Sequence, residues 1–362
     1  MGNNTSTTSP DETLLPTEKQ HWSFAGRSLF RWESALVLFF IFDLIYGGTS
    51  SPDFFSRNTI FFAGINFGLI AIMALPEMLI ITTGEIDLSV AAMLGLACSS
   101  FGYLFEHHVE VFLAMFLTLC VGAVGGALNG FLVTQLGLPS IAVTIGTLTM
   151  FRGLAEVILG TNEVSGFGGP WTDAGTNAIP GTPFAWAFGI FVVLALIYGA
   201  VLHFTSTGRS IYAIGLQEEA AFFSGIRVKR IKFNLFLLSG IVCSFVGLLY
   251  TYETNTARYD AGTGLELNVV AIVLFGGISI FGGRGTMLGV FLSVIVVGIF
   301  DQILSNNNVS SQEQSIVFGV LLLASVILPN AGRGYRAVSK RLGMKSSKTK
   351  PTIENAAVIS EL

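Results

Sequence analysis

Residues 111–133 read VFLAMFLTLCVGAVGGALNGFLV, a run of twenty-three residues without a charged side chain. A helix needs about 20 predominantly apolar residues to cross the hydrocarbon core of a bilayer. A surface helix of a water-soluble domain keeps one polar face, and this stretch has none. The segment therefore predicts a membrane-spanning helix.

Similar apolar segments occupy most of the sequence on both sides of this stretch. Of the 362 residues, 52% are hydrophobic and 12% are charged, about half the charged share of an ordinary soluble domain. These proportions exclude a soluble globular enzyme and predict an all-α integral membrane protein with about ten transmembrane helices. The predicted spans are 32–48, 59–83, 88–105, 111–133, 138–160, 184–204, 233–252, 265–281, 286–304 and 314–330.

The positions of lysine and arginine predict the orientation of the chain. Short cytoplasmic loops of membrane proteins carry an excess of these residues. With the N-terminus inside, sixteen of the 19 lysines and arginines fall in inner segments, Arg57 and Arg258 fall in outer loops, and Arg152 lies within a span. This asymmetry predicts cytoplasmic N- and C-termini and an even number of spans.

Polar tails flank the apolar part of the chain. Residues 1–31 and 333–362 are rich in polar and charged side chains, and we expect both to be disordered cytoplasmic tails, the second of them basic. The transmembrane domain then occupies residues 32–332.

Two polar connections inside this domain are long. The segment 161–183 is rich in glycine and proline, which predicts an irregular outer loop. The segment 205–232 carries five basic residues, which places it inside, and its good helix formers from Glu218 to Phe223 predict a short helix on the cytoplasmic face.

Signatures of catalysis and of nucleotide binding are absent from the sequence. No lysine directly follows a glycine, so the chain has no P-loop, and it has neither an H-E-x-x-H pair nor a G-x-S-x-G elbow. Cys98, Cys120 and Cys243 lie in apolar runs and are expected to be small buried hydrophobic residues rather than metal ligands. The net charge of −4 gives no basic excess for nucleic acid. We therefore expect neither an enzyme nor a metal protein.

Glycines are clustered at two places. Gly122, Gly126 and Gly130 lie on one face of a predicted helix, which predicts a packing seam. The four residues 282–285, GGRG, lie between two apolar runs and predict a tight cytoplasmic turn rather than a phosphate-binding loop.

A few ionisable residues lie deep in the predicted spans. Glu77 follows Pro76, and Arg152 and Glu156 are four residues apart on one helix. Charge within a membrane is costly, so such residues suggest a function. A proton-coupled carrier could use Glu77 as a relay with Arg152 as its counter-ion. A helix kink at Pro76 and a local ion pair of Arg152 with Glu156 are the interpretation that we favour.

Four stretches in a fixed order resemble one family of membrane proteins, the permeases of ribose-type sugar ABC importers, which include rhamnose and autoinducer-2 permeases. The resemblance covers roughly residues 35–330. The stretches are TGEIDLSVAAMLG at 83–95, LNGFLVTQLGLPSIAVTIGTLTMFRGLA at 128–155, GRSIYAIGLQEEAAFFSGIRVKR at 208–230 and VLFGGISIFGGRGTMLG at 273–289.

The resemblance implies partners. A permease of this kind forms half of a dimeric pore with a second permease copy, and it works with a cytoplasmic ABC ATPase subunit and a periplasmic sugar-binding protein. ATP and Mg would bind to the ATPase, so no cofactor is expected on this chain. The loop 205–232 would couple the two subunits. The residues that match the family pattern there, and that we expect to dock the ATPase, are Gly215, Glu219, Ala220, Ser224 and Gly225.

The stretch at residues 83–91 departs from the family pattern T-G-G-I-D-L-S-V-G at Glu85 and Ala91. From the residues alone, Asp87 and Ser89 can cap the start of the following helix, and a role in the permeation path is equally supported. The residues expected to belong to the permeation path or to a structural motif are Thr83, Gly84, Asp87, Ser89, Asn129, Gly283 and Arg284.

These observations together predict a multi-pass permease subunit of the bacterial inner membrane with the ABC importer permease fold. It would translocate a monosaccharide such as ribose, rhamnose or autoinducer-2 by alternating access. The alternative is an ion-coupled secondary sugar carrier, for which Glu77 or Asp87 would be essential. Lipid is an expected partner and nucleic acid is not.

Overall fold

The computed structural model describes residues 26–169, 172 and 175–341, and within them it is built from helices. The predicted tails 1–31 and 333–362 lie mostly outside these ranges, and helices extend into both as far as Gly26 and Arg341. The described helices are α1 (Gly26–Ser50), α2 (Arg57–Thr82), α3 (Val90–Glu106), α4 (Val111–Thr134), α5 (Ser140–Leu159), α6 (Trp186–Phe204), α7 (Ser206–Leu216), α8 (Glu218–Phe223), α9 (Val228–Thr254), α10 (Leu265–Phe275), α11 (Met287–Asn306) and α12 (Ser311–Arg341).

Polar side chains mark where several helices begin. Ser56 precedes α2 and accepts a hydrogen bond from Thr59 N–H at 3.2 Å. Thr205 precedes α7 and accepts from Gly208 N–H at 3.2 Å, and Thr286 precedes α11 and accepts from Gly289 N–H at 3.1 Å. Each oxygen pairs a backbone donor that the first helical turn leaves free, which fixes the start of the helix.

Seven of the described helices are long and apolar enough to cross a membrane, namely α1 from Trp32, α2, α4, α5, α6, α9 and α11. The all-α membrane protein is thereby confirmed, whereas the number of ten spans is not. Helix α3 has 17 residues and α10 has 11, and at 1.5 Å per residue α10 covers about 16 Å of a core about 30 Å thick. The predicted span 265–281 is therefore wrong in length, because the chain leaves the helix at Gly276 and Gly277, the latter with φ +86°.

Helix α2 lies at the centre of the molecule. From Phe67 to Thr82 every residue is buried, and the helix contacts α6, α9, α10 and α11. A helix that is apolar all round can be covered by protein or by lipid, and the contacts of α2 show that protein covers this part of it. This position places the C-terminal end of α2, and the start of the segment that follows it, in the interior of the fold.

The glycines of α4 lie in a packing seam, as the sequence predicts, and the helix on the other side of the seam is α9. A Cβ added at Gly122 would lie 2.4 Å from the Gly240 carbonyl oxygen, and one at Gly126 would lie 2.4 Å from the Phe236 carbonyl oxygen. Only residues without a side chain let the two backbones approach so closely. The packing seam is thus confirmed.

We expect Gly126→Ala to destabilise the protein, because a methyl group at this position meets backbone that cannot rotate away. Overpacking of this kind costs about 1–3 kcal/mol. The measurement is the thermal unfolding midpoint in detergent. Gly146→Ala on α5 is the matched control, since a Cβ there meets nothing within 4 Å. Equal midpoints for the two variants would contradict the prediction.

The loops predicted to lie outside meet one another. Strand β1 (Val164–Ser165) pairs antiparallel with β2 (Thr256–Ala257). Next to this pair, Arg258 contacts Glu163 at 3.8 Å and Asp260 at 2.8 Å. The hydrogen bond and charge of the Arg258 guanidinium hold the pKa of Asp260 below its ordinary value. Loop 161–183 is therefore attached to the connection between α9 and α10.

The predicted ion pair between Arg152 and Glu156 is wrong. Among the described residues no salt bridge joins them, and Arg152 instead donates a hydrogen bond to the carbonyl oxygen of Ala261. Helix α5 turns Glu156 to its exposed face while the arginine lies against the connection between α9 and α10. The partner of Arg152 is thus a backbone carbonyl oxygen from a distant part of the chain, not the neighbouring carboxylate on its own helix.

Candidate functional site

The segment between α2 and α3, residues 83–89, is irregular backbone in which Thr83, Asp87 and Ser89 are buried, while Gly84 is exposed. Thr83 ends α2 and donates its hydroxyl to the Ile80 carbonyl oxygen at 2.7 Å. Gly84 has φ +86°, a conformation that L side chains rarely adopt, and it turns the chain back into the protein. Asp87 is 3% exposed and Ser89 is 2% exposed. Buried chain of this kind needs internal partners for its polar groups.

Asp87 supplies those partners. Its Oδ1 accepts from Ser89 N–H at 3.0 Å and from the Ser89 hydroxyl at 2.6 Å, and its Oδ2 accepts from the Ser239 hydroxyl of α9 at 3.1 Å. Asn129 of α4 donates its Nδ2 to Ser89 Oγ at 2.8 Å. Glu77 of α2 accepts from Asp87 N–H at 3.1 Å. We call these five residues, Glu77, Asp87, Ser89, Asn129 and Ser239, the Asp87 network.

The Asp87 network joins three predicted residues to two others. Asp87, Ser89 and Asn129 come together as one group, while Ser239 was missed because a serine within an apolar run carries no signal of its own. Ser89 occupies the N-cap position of α3 without a capping hydrogen bond, so the capping prediction is wrong for this residue. Its hydroxyl is directed to Asp87 instead. The network holds α2, α3, α4 and α9 at a single point.

A second group of predicted residues meets at the C-terminal end of α2. The Gly283 N–H donates to the Thr82 carbonyl oxygen at 2.8 Å, and a Cβ at Gly215 would lie 2.3 Å from the Gly283 nitrogen. Gly215 therefore lies where α7, the end of α2 and the turn 282–285 are packed together. Gly215 thus packs against other backbone, whereas the other four residues predicted to dock the ATPase are exposed.

The turn 282–285 connects α10 to α11 as predicted. Ser279 N–H donates to the Arg284 carbonyl oxygen at 3.0 Å, which closes the turn, and the Arg284 side chain is exposed. Gly282 N–H is paired with the Ser279 carbonyl oxygen at 2.9 Å, and Gly283 N–H is paired with the Thr82 carbonyl oxygen. A phosphate cradle needs free amides, so the geometry supports the tight turn.

The predicted short helix of the inner loop is confirmed as α8 (Glu218–Phe223). Tyr212 of α7 attaches this loop to the turn 282–285 by donating its hydroxyl to the Gly285 carbonyl oxygen at 2.7 Å. Burial raises the pKa of Tyr212 to about 12, so the donor keeps its proton at physiological pH. The loop is therefore held firmly against the ends of the membrane helices.

Helix α8 presents an exposed surface. We call it the docking turn, and it consists of Glu219, Ala220, Phe222, Phe223, Ser224 and Gly225, all of them exposed. Phe222 is 64% exposed and Phe223 is 84% exposed. Both were missed by the sequence interpretation, although two adjacent aromatic residues in a basic inner loop are a signal that could have revealed them. Aromatic side chains are enriched at protein–protein interfaces relative to the rest of the protein surface.

Comparison with known proteins identifies the family. Residues 59–326 match the family described as branched-chain amino acid transport system / permease component. The autoinducer 2 import system permease protein LsrD of Photorhabdus temperata is 30% identical over 302 residues, which cover 82% of this chain and 90% of that protein. The protein of that name in Escherichia coli K12 is 30% identical over 307 residues, 83% of this chain and 92% of that protein.

The same protein in Salmonella paratyphi A is 29% identical over 304 residues, 82% of this chain and 91% of that protein. No solved structure matches the chain. The family match, the extent of the similarity and the apolar helices make this a multi-pass protein of the inner membrane. The chain belongs to the branched-chain amino acid transport system / permease component family, and it is a transport permease rather than an enzyme.

Proposed function

We propose that this chain is the permease subunit of an ATP-binding-cassette importer that carries autoinducer 2, or a monosaccharide related to it, into the cell by alternating access. The observation that carries the proposal is similarity over nearly the whole length to permeases named for autoinducer 2 import. A polar ligand of this kind needs no covalent chemistry from the permease. The chain would bind no cofactor itself.

The proposed partners follow from the surfaces of the fold. A cytoplasmic ABC ATPase would bind the docking turn, where two phenylalanines project from a short helix that is fixed to the membrane helices. ATP and Mg would be held by that subunit. A periplasmic binding protein would deliver the ligand at the outer face, and a second permease copy would complete the pore.

The proposed topology has ten crossings and cytoplasmic termini, and the crossing at α10 would be completed by the irregular chain that follows this short helix. Its support is the distribution of charge together with the packing of the loops. The two predicted inner segments, 205–232 and 282–285, contact each other through Gly215 and Gly283. The two predicted outer connections pair through β1 and β2. Segments assigned to one side of the membrane thus meet, as the assignment requires.

The Asp87 network has a structural role in this proposal. Asp87, Ser89 and Asn129 are buried and paired with one another, so they would fix the inner ends of the helices. Thr83, Gly84, Gly283 and Arg284 would form the hinge region between the network and the loop that binds the ATPase. The helices joined by the Asp87 network and the loop that binds the ATPase could then move relative to each other as two rigid bodies.

The test is uptake of radiolabelled autoinducer 2 in cells that carry this chain with its binding protein, with and without the ATPase subunit. We expect uptake to fall to background without the ATPase, because alternating access would have no other energy source. Ribose and rhamnose serve as competitors that define the ligand. Uptake that persists without the ATPase and collapses with the proton gradient would instead establish an ion-coupled carrier.

A further inference from the structure

Lys232 lies between two carboxylates near the inner end of α9. Its Nζ is 2.6 Å from Glu85 Oε1 and 2.6 Å from Glu218 Oε2. Lys232 is 5% exposed. Glu85 belongs to the segment 83–89, and Glu218 is the first residue of α8, so one ammonium group connects three parts of the chain.

Separating Lys232 from its two carboxylates would cost free energy, so these ion pairs oppose movement of α8 relative to segment 83–89. The buried Lys232 ammonium group is costly to leave unpaired. Its pair with Glu85, which is 18% exposed, is largely buried, whereas Glu218 is 57% exposed and solvent weakens that second pair. Hydrogen bonds between charged groups are also shorter and stronger than neutral ones. Helix α8 therefore cannot move away from segment 83–89 without separating Lys232 from one of its two carboxylates.

The two carboxylates that bind Lys232 belong to the two regions described above, the docking turn and the segment that contains Asp87. On one side, Glu218 begins the helix that carries the docking turn. On the other, Glu85 precedes Ile86, whose N–H donates to Ser140 Oγ at 3.2 Å, and Asp87, the centre of the buried network. Displacement of Glu85 would thus reach α5 and the Asp87 network directly.

We propose that Lys232 is a positioning residue that transmits movement of α8 to the segment 83–89 and from there to the Asp87 network. This inference rests on the proposed function and deepens it. Either carboxylate alone would anchor the lysine, whereas both together join the loop to the membrane domain.

The experiment uses the complete importer, this chain with its ATPase subunit and binding protein, in proteoliposomes. The two quantities measured are ATP hydrolysis and uptake of radiolabelled autoinducer 2. For Lys232→Met we expect the ATPase to remain bound and to hydrolyse ATP, while uptake per ATP falls about tenfold, within the usual range of coupling between sites. Lys232→Arg keeps a positive charge that can pair with both carboxylates, so we expect this variant to retain most of the wild-type uptake per ATP.

Two further variants keep the test decisive. Lys229→Met is the matched control, because Lys229 is exposed on the same helix and takes part in none of the salt bridges of the described residues. Glu218→Gln removes one pair at a side chain that is 57% exposed, so it tests the link even if Lys232→Met does not fold. We expect a lowered uptake per ATP for Glu218→Gln and an unchanged ratio for Lys229→Met.

Three results would overturn the inference. They are an unchanged uptake per ATP in Glu218→Gln or in folded Lys232→Met, an equal loss in Lys229→Met, and a loss in Lys232→Arg as large as that in Lys232→Met. If the wild-type complex itself shows no ATP-dependent uptake, the proposed function fails, and the inference fails with it. A lowered ratio in the variants against a coupled wild type supports both.

Discussion

Asp87→Ala is expected to be among the most damaging single changes in the described part of the chain. The alanine removes the acceptor of three hydrogen bonds, two from Ser89 and one from Ser239, in a place that solvent does not reach. A buried donor left without a partner costs about 1–3 kcal/mol. We expect the free energy of unfolding to fall by about 3 kcal/mol or more. The measurement is denaturation of the purified protein in detergent micelles.

Asp87→Asn separates the effect of shape from that of charge. The amide oxygen can still accept from Ser89, and the Ser239 hydroxyl can turn to accept from the amide nitrogen. We therefore expect a smaller loss of stability than for alanine. Asp260→Ala is the control, because its partner Arg258 is exposed and exposed pairs contribute little. If Asp87→Ala and Asp260→Ala unfold alike, the Asp87 network does not hold the helices together.

The arrangement of apolar segments was predictable from the sequence because a bilayer imposes length and composition on every helix that crosses it. The positions of α4 and α9 relative to one another were also accessible in part, since Gly122, Gly126 and Gly130 reveal a close contact. What they do not reveal is the partner. Gly240 and Phe236 lie over a hundred residues further on, and spacing within one helix says nothing about which helix lies opposite.

The errors have a common cause, which is that tertiary partners replaced local ones. Arg152 bonds a carbonyl oxygen of a distant loop instead of Glu156, and Ser89 bonds Asp87 instead of its own helix. Helix α10 ends early because Gly276 and Gly277 turn the chain within the fold, where apolar composition alone predicts a longer span. Irregular backbone at such a depth is tolerated when protein surrounds it.

The candidate site was likewise predictable in part. The loop 205–232 and its short helix follow from charge and helix propensity. Four of the residues predicted to dock the ATPase, Glu219, Ala220, Ser224 and Gly225, lie together on an exposed turn. Gly215 matches the same pattern but packs against Thr82 and Gly283. A shared motif therefore contains residues of two kinds, one that faces a partner and one that supports the loop from within.

Replacing Phe222 and Phe223 together by serine is expected to release the ATPase subunit from the permease. Aromatic residues buried at the centre of an interface commonly cost 2 kcal/mol or more each when they are truncated. Since about 1.4 kcal/mol corresponds to a factor of ten, the double variant should bind the ATPase about a thousandfold more weakly. The measurement is the dissociation constant of the purified ATPase for the permease in nanodiscs.

The folding of the permease should be unaffected, because both side chains are exposed and leave no cavity. Phe204→Ser is the matched control, since Phe204 is 84% exposed, as Phe223 is, but lies at the end of α6 outside the docking turn. Equal weakening by the control would show that any loss of an inner apolar side chain disturbs binding. Full binding by the double variant would move the ATPase away from α8, and the ion-paired link at Lys232 would then connect the membrane helices to a surface with another purpose.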